Sequence, residues 1–172
     1  LPATATSAVV LAGSCSEATR AQISNAVSDG MPAFHLDVEQ LAKNGDHLKE
    51  ATTWAMSQTQ TPIVYASSAP DRIADIHQKL GQHKAGQLVE DALSQIAVSL
   101  RDDGVRRFVV AGGETSGAVV SALNIKALQI GPQIAPGVPW TASLDEDPIA
   151  LALKSGNFGG ARFFSDALGA LK

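Results

Sequence analysis

The chain has 172 residues, of which 45% are hydrophobic and 17% are charged, and its formal net charge is -4. This length fits one domain with its own core, and an acidic balance without a basic cluster argues against nucleic acid or an anionic membrane as a partner. No apolar run approaches the roughly 18 residues that a bilayer-spanning helix needs. The single cysteine, Cys15, excludes an intramolecular disulfide and predicts a reducing cytoplasm.

The first residues, "LPATAT", are small, hydroxylated or proline, and they lack the positive region of a signal peptide. We expect residues 1–6 to be a linker that follows a further, N-terminal domain. Residues 7–172 then form the domain under discussion.

The first predicted element is a buried strand at residues 8–12, "AVVLA". Gly13 follows as a turn, and Ser14 with Glu17 three residues later predicts a capping box with Ser14 as the cap. A helix then runs to the stop signal Asp29-Gly30. Strand, turn and helix thus form one unit.

The same alternation continues to the end of the chain. Strands are predicted at 32–37 and 61–68, within 106–111, within 127–140 before a Pro/Gly-rich loop, and within 148–154. Helices are predicted at 38–58 with an interruption near "NGD", at 70–80, at 86–102, after the turn at 112–117, and at 161–171. Alternating strands and helices predict an α/β fold with a mostly parallel sheet covered on both faces.

Four strand-to-helix turns are rich in glycine and serine: "AGSCSE", "YASSAP", "AGGETSG" and "KSGNFGG". Parallel sheets bind ligands beyond the carboxyl ends of their strands. Glycine lets the backbone approach a ligand, and the amides of a helix N-terminus favour a phosphate. We therefore expect these turns to form the ligand-binding edge of the sheet.

The turn at residues 112–117 gives the strongest signal, because it holds three glycines in six residues. A helix cap needs one glycine at most, and each extra one costs roughly 0.5–1 kcal/mol of backbone entropy. The run matches neither the Walker A pattern nor G-x-G-x-x-G. The candidate ligand-binding residues here are Gly112, Gly113, Glu114, Thr115 and Ser116.

Other candidate residues each have a simpler structural interpretation. Ser14 and Ser16 either cap the first helix or contact a ligand, and Cys15 is either a packed thiol or a nucleophile at a helix N-terminus. Lys154, beside Gly156, either meets a phosphate or carries its charge out of the core to solvent. The four histidines are too scattered for a metal site, and "DEDP" at residues 145–148 is better interpreted as an acidic loop. No general base is recognisable.

The motifs "VLAGSCSEATRAQI", "VVAGGETSGAVVSAL", "QIGPQIAPGVPW" and "LALKSGNFGG" occur in this order along the chain. Together they resemble the C-terminal nucleotide-binding domain of the four-carbon acid sugar kinases, ATP-dependent enzymes acting on threonate, erythronate or 3-oxo-tetronate. The resemblance covers essentially residues 7–171 and is most specific in the last third. Between residues 34 and 103 the chain resembles the family in its pattern of strands and helices rather than in motifs. No site residue is inferred from this segment.

The resemblance implies the C-terminal half of a two-domain kinase that binds ATP with Mg²⁺, while an N-terminal domain binds the acid sugar and supplies the catalytic residues. It places nucleotide contacts at Ser14 or Ser16, at Gly113 to Ser116, and at Gly156; Lys154 as a phosphate contact is our own addition. Phosphoryl transfer depends mainly on positioning and charge stabilisation, so a nucleotide-binding half needs no general base.

Two other functions remain open from the sequence. One is a non-catalytic module that senses a phosphorylated metabolite. The other is a dinucleotide-binding dehydrogenase domain, which is disfavoured because both G-x-G-x-x-G and an acidic residue about twenty positions later are missing.

Overall fold

A computed structural model describes residues 7–171, and the expected linker at residues 1–6 lies outside them. The described residues form a seven-stranded sheet in the order β2-β3-β1-β4-β7-β6-β5. The strands are β1 Ala8–Ala12, β2 Ala33–His35, β3 Ile63–Tyr65, β4 Arg107–Ala111, β5 Leu128–Ala135, β6 Val138–Ser143 and β7 Ala150–Lys154. The helices are α1 Glu17–Ser28, α2 Val38–Lys43, α3 Asp46–Met56, α4 Pro70–Leu80, α5 Gln82–Asp102, α6 Gly113–Ala122 and α7 Phe163–Gly169.

The strands β2, β3, β1, β4 and β7 run parallel to one another. Every residue of β1 is buried, and alternate residues face two separate cores. Val9 and Leu11 pack in the core that includes residues of α3, α5 and α6, whereas Val10 and Ala12 pack in the core that includes residues of α1 and α7. Helices therefore cover both faces, which confirms the predicted mostly parallel α/β fold.

The prediction of one strand and a loop between residues 127 and 140 is wrong. The segment forms an antiparallel hairpin of β5 and β6, and β6 then pairs antiparallel with β7. Pro139 lies opposite Gln133 beside an irregular register, and the pairing of β6 with β7 begins only at Trp140. The prolines are tolerated because they lie on the edge strand or outside the regular ladder.

Two helix starts also differ from those predicted. The cap of α1 is Ser16, not Ser14, since the Ser16 hydroxyl accepts the amide of Thr19 and the helix begins at Glu17. The helix α5 begins at Gln82 rather than at Gly86, directly after Gly81 with its φ of +84°. Among residues 7–171, no helix is long and apolar enough to cross a membrane.

Candidate functional site

The first and third of the four glycine- and serine-rich turns meet at the centre of the sheet. β1 has β3 on one side and β4 on the other, so the direction of winding reverses between β1 and β4. The amides of Gly13 and Ser14 both donate to the carbonyl oxygen of Ala111, at 3.0 and 3.1 Å. The amide of Gly112 donates to the carbonyl oxygen of Lys154 at 2.9 Å, which ties in the last turn as well.

Two glycines are required by the close approach of these turns. A Cβ atom on Gly13 would overlap the hydroxyl of Thr115, and one on Gly112 would lie 3.2 Å from the amide nitrogen of Ser14. Gly112 also has a φ of +128°, which L side chains rarely adopt. Gly113 differs from both, because a Cβ atom there would meet nothing within 4 Å. Open space therefore lies in front of Gly113.

The N-terminus of α6 faces this edge without a side-chain cap. Its first backbone hydrogen bond runs from the amide of Ser116 to the carbonyl of Gly112, at 2.9 Å. The amides of Gly113, Glu114 and Thr115 precede that bond and point along the helix axis toward the sheet edge. Such amides, together with the positive end of the helix dipole, favour an anion.

The remaining residues of this turn have different surroundings. Thr115 is 4% exposed and packs against the two glycine turns, whereas Glu114 is exposed. The hydroxyl oxygen of Ser116 is buried and has no hydrogen-bond partner within residues 7–171. Thr115 thus packs inside the turn, and Glu114 places a negative charge at the edge of the sheet.

Ser14 and Ser16 have different hydrogen-bonding roles. The Ser16 hydroxyl caps α1 and lies 2.7 Å from the carbonyl oxygen of Gly156, to which it donates. The Ser14 hydroxyl accepts the amide of Ser16 at 3.2 Å, and no hydrogen bond within the described chain uses its proton. Ser14 therefore keeps a donor that Ser16 lacks.

Lys154 is buried at the end of β7 and is 1% exposed. Its ammonium donates to the carbonyl oxygens of Gly156 at 2.9 Å and Ser155 at 3.1 Å, and to the hydroxyl of Thr19 at 3.1 Å. Burial lowers the pKa of this ammonium to about 8. The side chain neither leaves the core nor reaches the open edge, so its charge lies behind the last turn.

Gly156 is fixed by its neighbours on both sides. Its carbonyl oxygen accepts from Ser16, Thr19 and Lys154. A Cβ atom at this position would overlap the Ser14 hydroxyl and would lie 3.0 Å from the Ser16 hydroxyl oxygen. The last turn is therefore locked onto the first turn and onto α1.

Sequence reasoning missed a polar stripe on α1 that holds the last turn. Thr19 and Gln22 are 0% and 2% exposed. The Gln22 side-chain amide donates to the carbonyls of residues 158, 159 and 160 at 3.0–3.1 Å. The detectable signal is the spacing of Ser16, Thr19 and Gln22, three uncharged polar residues on one helix face.

The remaining candidates add little chemistry to the edge. Cys15 is a half-buried free thiol whose sulfur lies 4.0 Å from the carbonyl oxygen of Gly13. Between residues 7 and 171, no three His, Cys, Asp or Glu side chains gather in a group that could hold a metal ion. The edge thus offers backbone amides and hydroxyl groups rather than metal ligands.

Known proteins resemble this chain over nearly its whole length. A 3-oxo-tetronate kinase of Pseudomonas fluorescens is 53% identical over 171 residues, which are 99% of this chain and 40% of that protein. A 3-oxo-tetronate kinase of Cupriavidus necator is 51% identical over 93% of this chain and 37% of its own length. The crystal structure of Haemophilus influenzae protein HI1011 matches with a TM-score of 0.93 and 39% identity, covering 100% of this chain and 42% of that one.

The chain spans about 40% of the length of these curated relatives. A family model described as the nucleotide-binding C-terminal domain matches residues 9–164, which include all four glycine- and serine-rich turns. The resemblance predicted from the motifs is confirmed. This chain belongs to the family of nucleotide-binding C-terminal domains.

Proposed function

We propose that this chain is the ATP-binding domain of a kinase that phosphorylates a terminal hydroxyl of a four-carbon sugar acid: threonate, erythronate or 3-oxo-tetronate. The proposal rests on the uncapped N-terminus of α6 at the centre of the sheet edge. Relatives named 3-oxo-tetronate kinase, 51–53% identical to this chain, support the choice of reaction.

The residues of the edge fit a nucleotide phosphate group. The amides of Gly113, Glu114 and Thr115 are available donors, and the space in front of Gly113 is open. Gly112 allows the backbone geometry of the turn, and the buried Ser116 hydroxyl has no hydrogen-bond partner within residues 7–171. Anion binding at such an end needs no cationic side chain in direct contact.

The first and last turns complete the proposed phosphate site. We assign the contact at the first turn to Ser14, because its hydroxyl proton is unused within the described chain and the Ser16 hydroxyl is engaged by Gly156. Gly156 brings the backbone of the last turn against Ser14. Lys154 contributes through its positive charge, which lies on the interior side of the last turn. Because this interior is poorly hydrated, the charge favours an anion at the edge of the sheet.

ATP, bound as its Mg²⁺ complex, supplies the phosphoryl group that is transferred. The residues of this chain bind the phosphates and orient them at the edge of the sheet, which is the main requirement of phosphoryl transfer. The acid sugar and the residue that accepts its hydroxyl proton then belong to an N-terminal domain. Closure of that domain over the edge excludes water, which would otherwise hydrolyse ATP. The free thiol of Cys15 fits a cytoplasmic kinase.

Calorimetric titration of the 172-residue chain with ATP, ADP and NAD in the presence of Mg²⁺ tests the proposal. Binding of ATP and ADP without NAD is the expected result, and absence of ATP binding contradicts it. The protein that also carries the acid-sugar domain should then consume ATP with a four-carbon acid. ATP binding without turnover on any of the three acids would instead identify a non-catalytic binding module.

A further inference from the structure

The second of the four strand-to-helix turns, at residues 65–70, takes no part in the proposed phosphate site. Together with α1 it borders a groove of about 780 Å³, part of which is open to solvent. This volume falls within the usual range for small-ligand sites. Ser67 lines the groove, and its hydroxyl donates to the carbonyl oxygen of Ser14. The groove therefore lies beside the first turn, where we placed a phosphate contact.

Arg20 brings an unused positive charge to this groove. It belongs to α1, is half-buried and lines the groove. Its Nε atom is buried and has no hydrogen-bond partner within residues 7–171. None of the ion pairs between those residues includes Arg20. Buried donors in native proteins almost always have a partner, so a buried Nε atom without one indicates a missing ligand or ion.

The other residues that line the groove add hydroxyl groups and apolar surface. Ser67 and Ser68 lie at the end of β3, while Ile23 and Val27 form an aliphatic wall on α1. No aspartate or glutamate of the described chain lines the groove. The Arg20 charge thus has no counterion there, and the groove favours an anion. A guanidinium binds a carboxylate or a phosphate through two parallel hydrogen bonds.

The position of the groove favours a carboxylate over a nucleotide phosphate. In the sheet, β1 lies between β3 and β4. The groove at the end of β3 and the α6 terminus after β4 therefore lie on opposite sides of the first turn. A four-carbon sugar acid has its terminal hydroxyl at one end and its carboxylate at the other. When the hydroxyl faces the phosphates at the first turn, the carboxylate can point into the groove.

We propose that Arg20 binds the carboxylate of the sugar acid, with the Ser68 hydroxyl beside it in the groove. The inference rests on the proposed function, since it adds a contact to the acceptor of the same reaction. This domain then selects an acid over an uncharged polyol, in addition to the contacts that the acid-sugar domain makes. A guanidinium left without the carboxylate would disfavour a neutral substrate.

Arg20→Gln tests the assignment, because it removes the charge and keeps a long side chain that favours helices. Arg162→Gln is the matched control: it removes the same charge from an exposed arginine that already pairs with Asp29 at 3.0 Å. Both variants are made in the protein that also carries the acid-sugar domain, and circular dichroism checks their folding. Calorimetry without ATP measures binding of threonate, erythronate and 3-oxo-tetronate, and of the uncharged threitol and erythritol, in which CH₂OH replaces the carboxylate.

We expect Arg20→Gln to weaken binding of the preferred acid at least tenfold and to reduce its preference over the tetritols by a similar factor. Arg162→Gln should stay within twofold of the unmodified protein. In steady-state kinetics, Arg20→Gln should raise KM for the acid at least tenfold and leave KM for ATP within twofold. Arg20→Lys should recover part of the lost affinity, because it keeps the charge but not the two-pronged geometry.

The remaining outcomes separate this inference from the proposed function. An acid affinity that is unchanged in Arg20→Gln, or lost equally in Arg162→Gln, overturns the carboxylate contact and leaves the proposed function standing. Equal losses for ATP and the acid overturn it too, since they would place Arg20 in the phosphate site. A lower kcat with unchanged acid affinity would instead pair Arg20 with an acidic side chain of the other domain. Absence of ATP binding, with acid binding that depends on Arg20, would overturn the proposed function but not the carboxylate site.

Discussion

The ammonium nitrogen of Lys154 lies 2.9 Å from the carbonyl oxygen of Gly156, and none of the ion pairs in residues 7–171 includes Lys154. The hydroxyls of Ser16 and Thr19 donate to the same oxygen. One peptide group of the last turn is thus held by three donors, one of them charged. A buried charge without a carboxylate partner is costly, and the Lys154 ammonium offsets part of this cost by donating to the carbonyl oxygens of Ser155 and Gly156 and to the Thr19 hydroxyl.

The buried ammonium predicts how stability depends on pH. The pKa of Lys154 is about 8 in the folded chain, below its ordinary value of 10.5. Between these two values the unfolded chain binds more protons than the folded chain, so this group makes the free energy of unfolding rise with pH. Below about pH 8 both states are protonated and the cost of burying the charge is constant. Lys154→Met lacks the titrating group and should lack this rise.

Urea unfolding at several pH values between about pH 7 and pH 10 measures this effect. The free energy of unfolding of the unmodified chain minus that of Lys154→Met should grow across this range, because all other groups titrate alike in both proteins. A difference that stays constant with pH would show that the Lys154 ammonium is not destabilised by burial.

Gly113→Asp should weaken ATP binding at least tenfold, which corresponds to about 1.4 kcal/mol. The added carboxylate would occupy the open space in front of Gly113, where it competes with a phosphate for the same helix amides. Gly117→Asp is the matched control, one helical turn further along α6, where a Cβ atom also meets nothing within 4 Å. Calorimetric affinities that fall equally in both variants would contradict phosphate binding at the α6 terminus.

Removing the hydroxyl group of Ser16 should mainly lower the stability of the chain, whereas removing that of Ser14 should mainly weaken ATP binding. Ser16→Ala removes the cap of α1 and one donor to Gly156, and should lower the free energy of unfolding by about 1 kcal/mol. Ser14→Ala should affect stability less and should weaken ATP binding by about 2–10-fold, the value of a neutral hydrogen bond. Urea unfolding and calorimetry of both variants separate the roles, and a larger ATP effect in Ser16→Ala would reverse our assignment.

Gly156→Ala should destabilise the chain by about 1–3 kcal/mol through crowding. The added Cβ atom would overlap the Ser14 hydroxyl, so Ser14→Ala in the same chain should relieve part of the cost. A double-mutant cycle by urea unfolding should give a favourable coupling of at least about 0.5 kcal/mol. Strictly additive effects would show that the last turn moves away from Ser14 at little cost.

Much of the fold follows from local sequence patterns. The apolar run of β1 and the signals at Gly13 and Pro70 predict their elements, since they reflect backbone preferences and burial within a few residues. The hairpin of β5 and β6 was missed because Pro132 and Pro139 lower the strand signal. Only the tertiary arrangement, an edge strand beside an irregular register, makes these prolines acceptable.

In the candidate site, too, some features can be predicted from local sequence patterns and others cannot. The glycine-rich turns are visible in sequence because each lies on a continuous stretch of chain. The link between Thr19 and Gly156 joins residues 137 positions apart, and no local pattern contains it. Likewise, Lys154 at a strand end suggested a solvent-facing or ligand-facing charge, whereas its partners from α1 retain it in the interior.

The strand order has a consequence for the time course of folding. The pairs β2–β3, β5–β6 and β6–β7 join neighbours along the chain, but β1 pairs with β4 in a register that matches Ala8 to Arg107. Closing the long loop between Ala8 and Arg107 costs more entropy than closing a hairpin, and such non-local pairings slow folding. We therefore expect the hairpin to acquire protection from hydrogen exchange before the central strands do. On this expectation, the edge that carries the candidate site is completed last, when β1 and β4 meet.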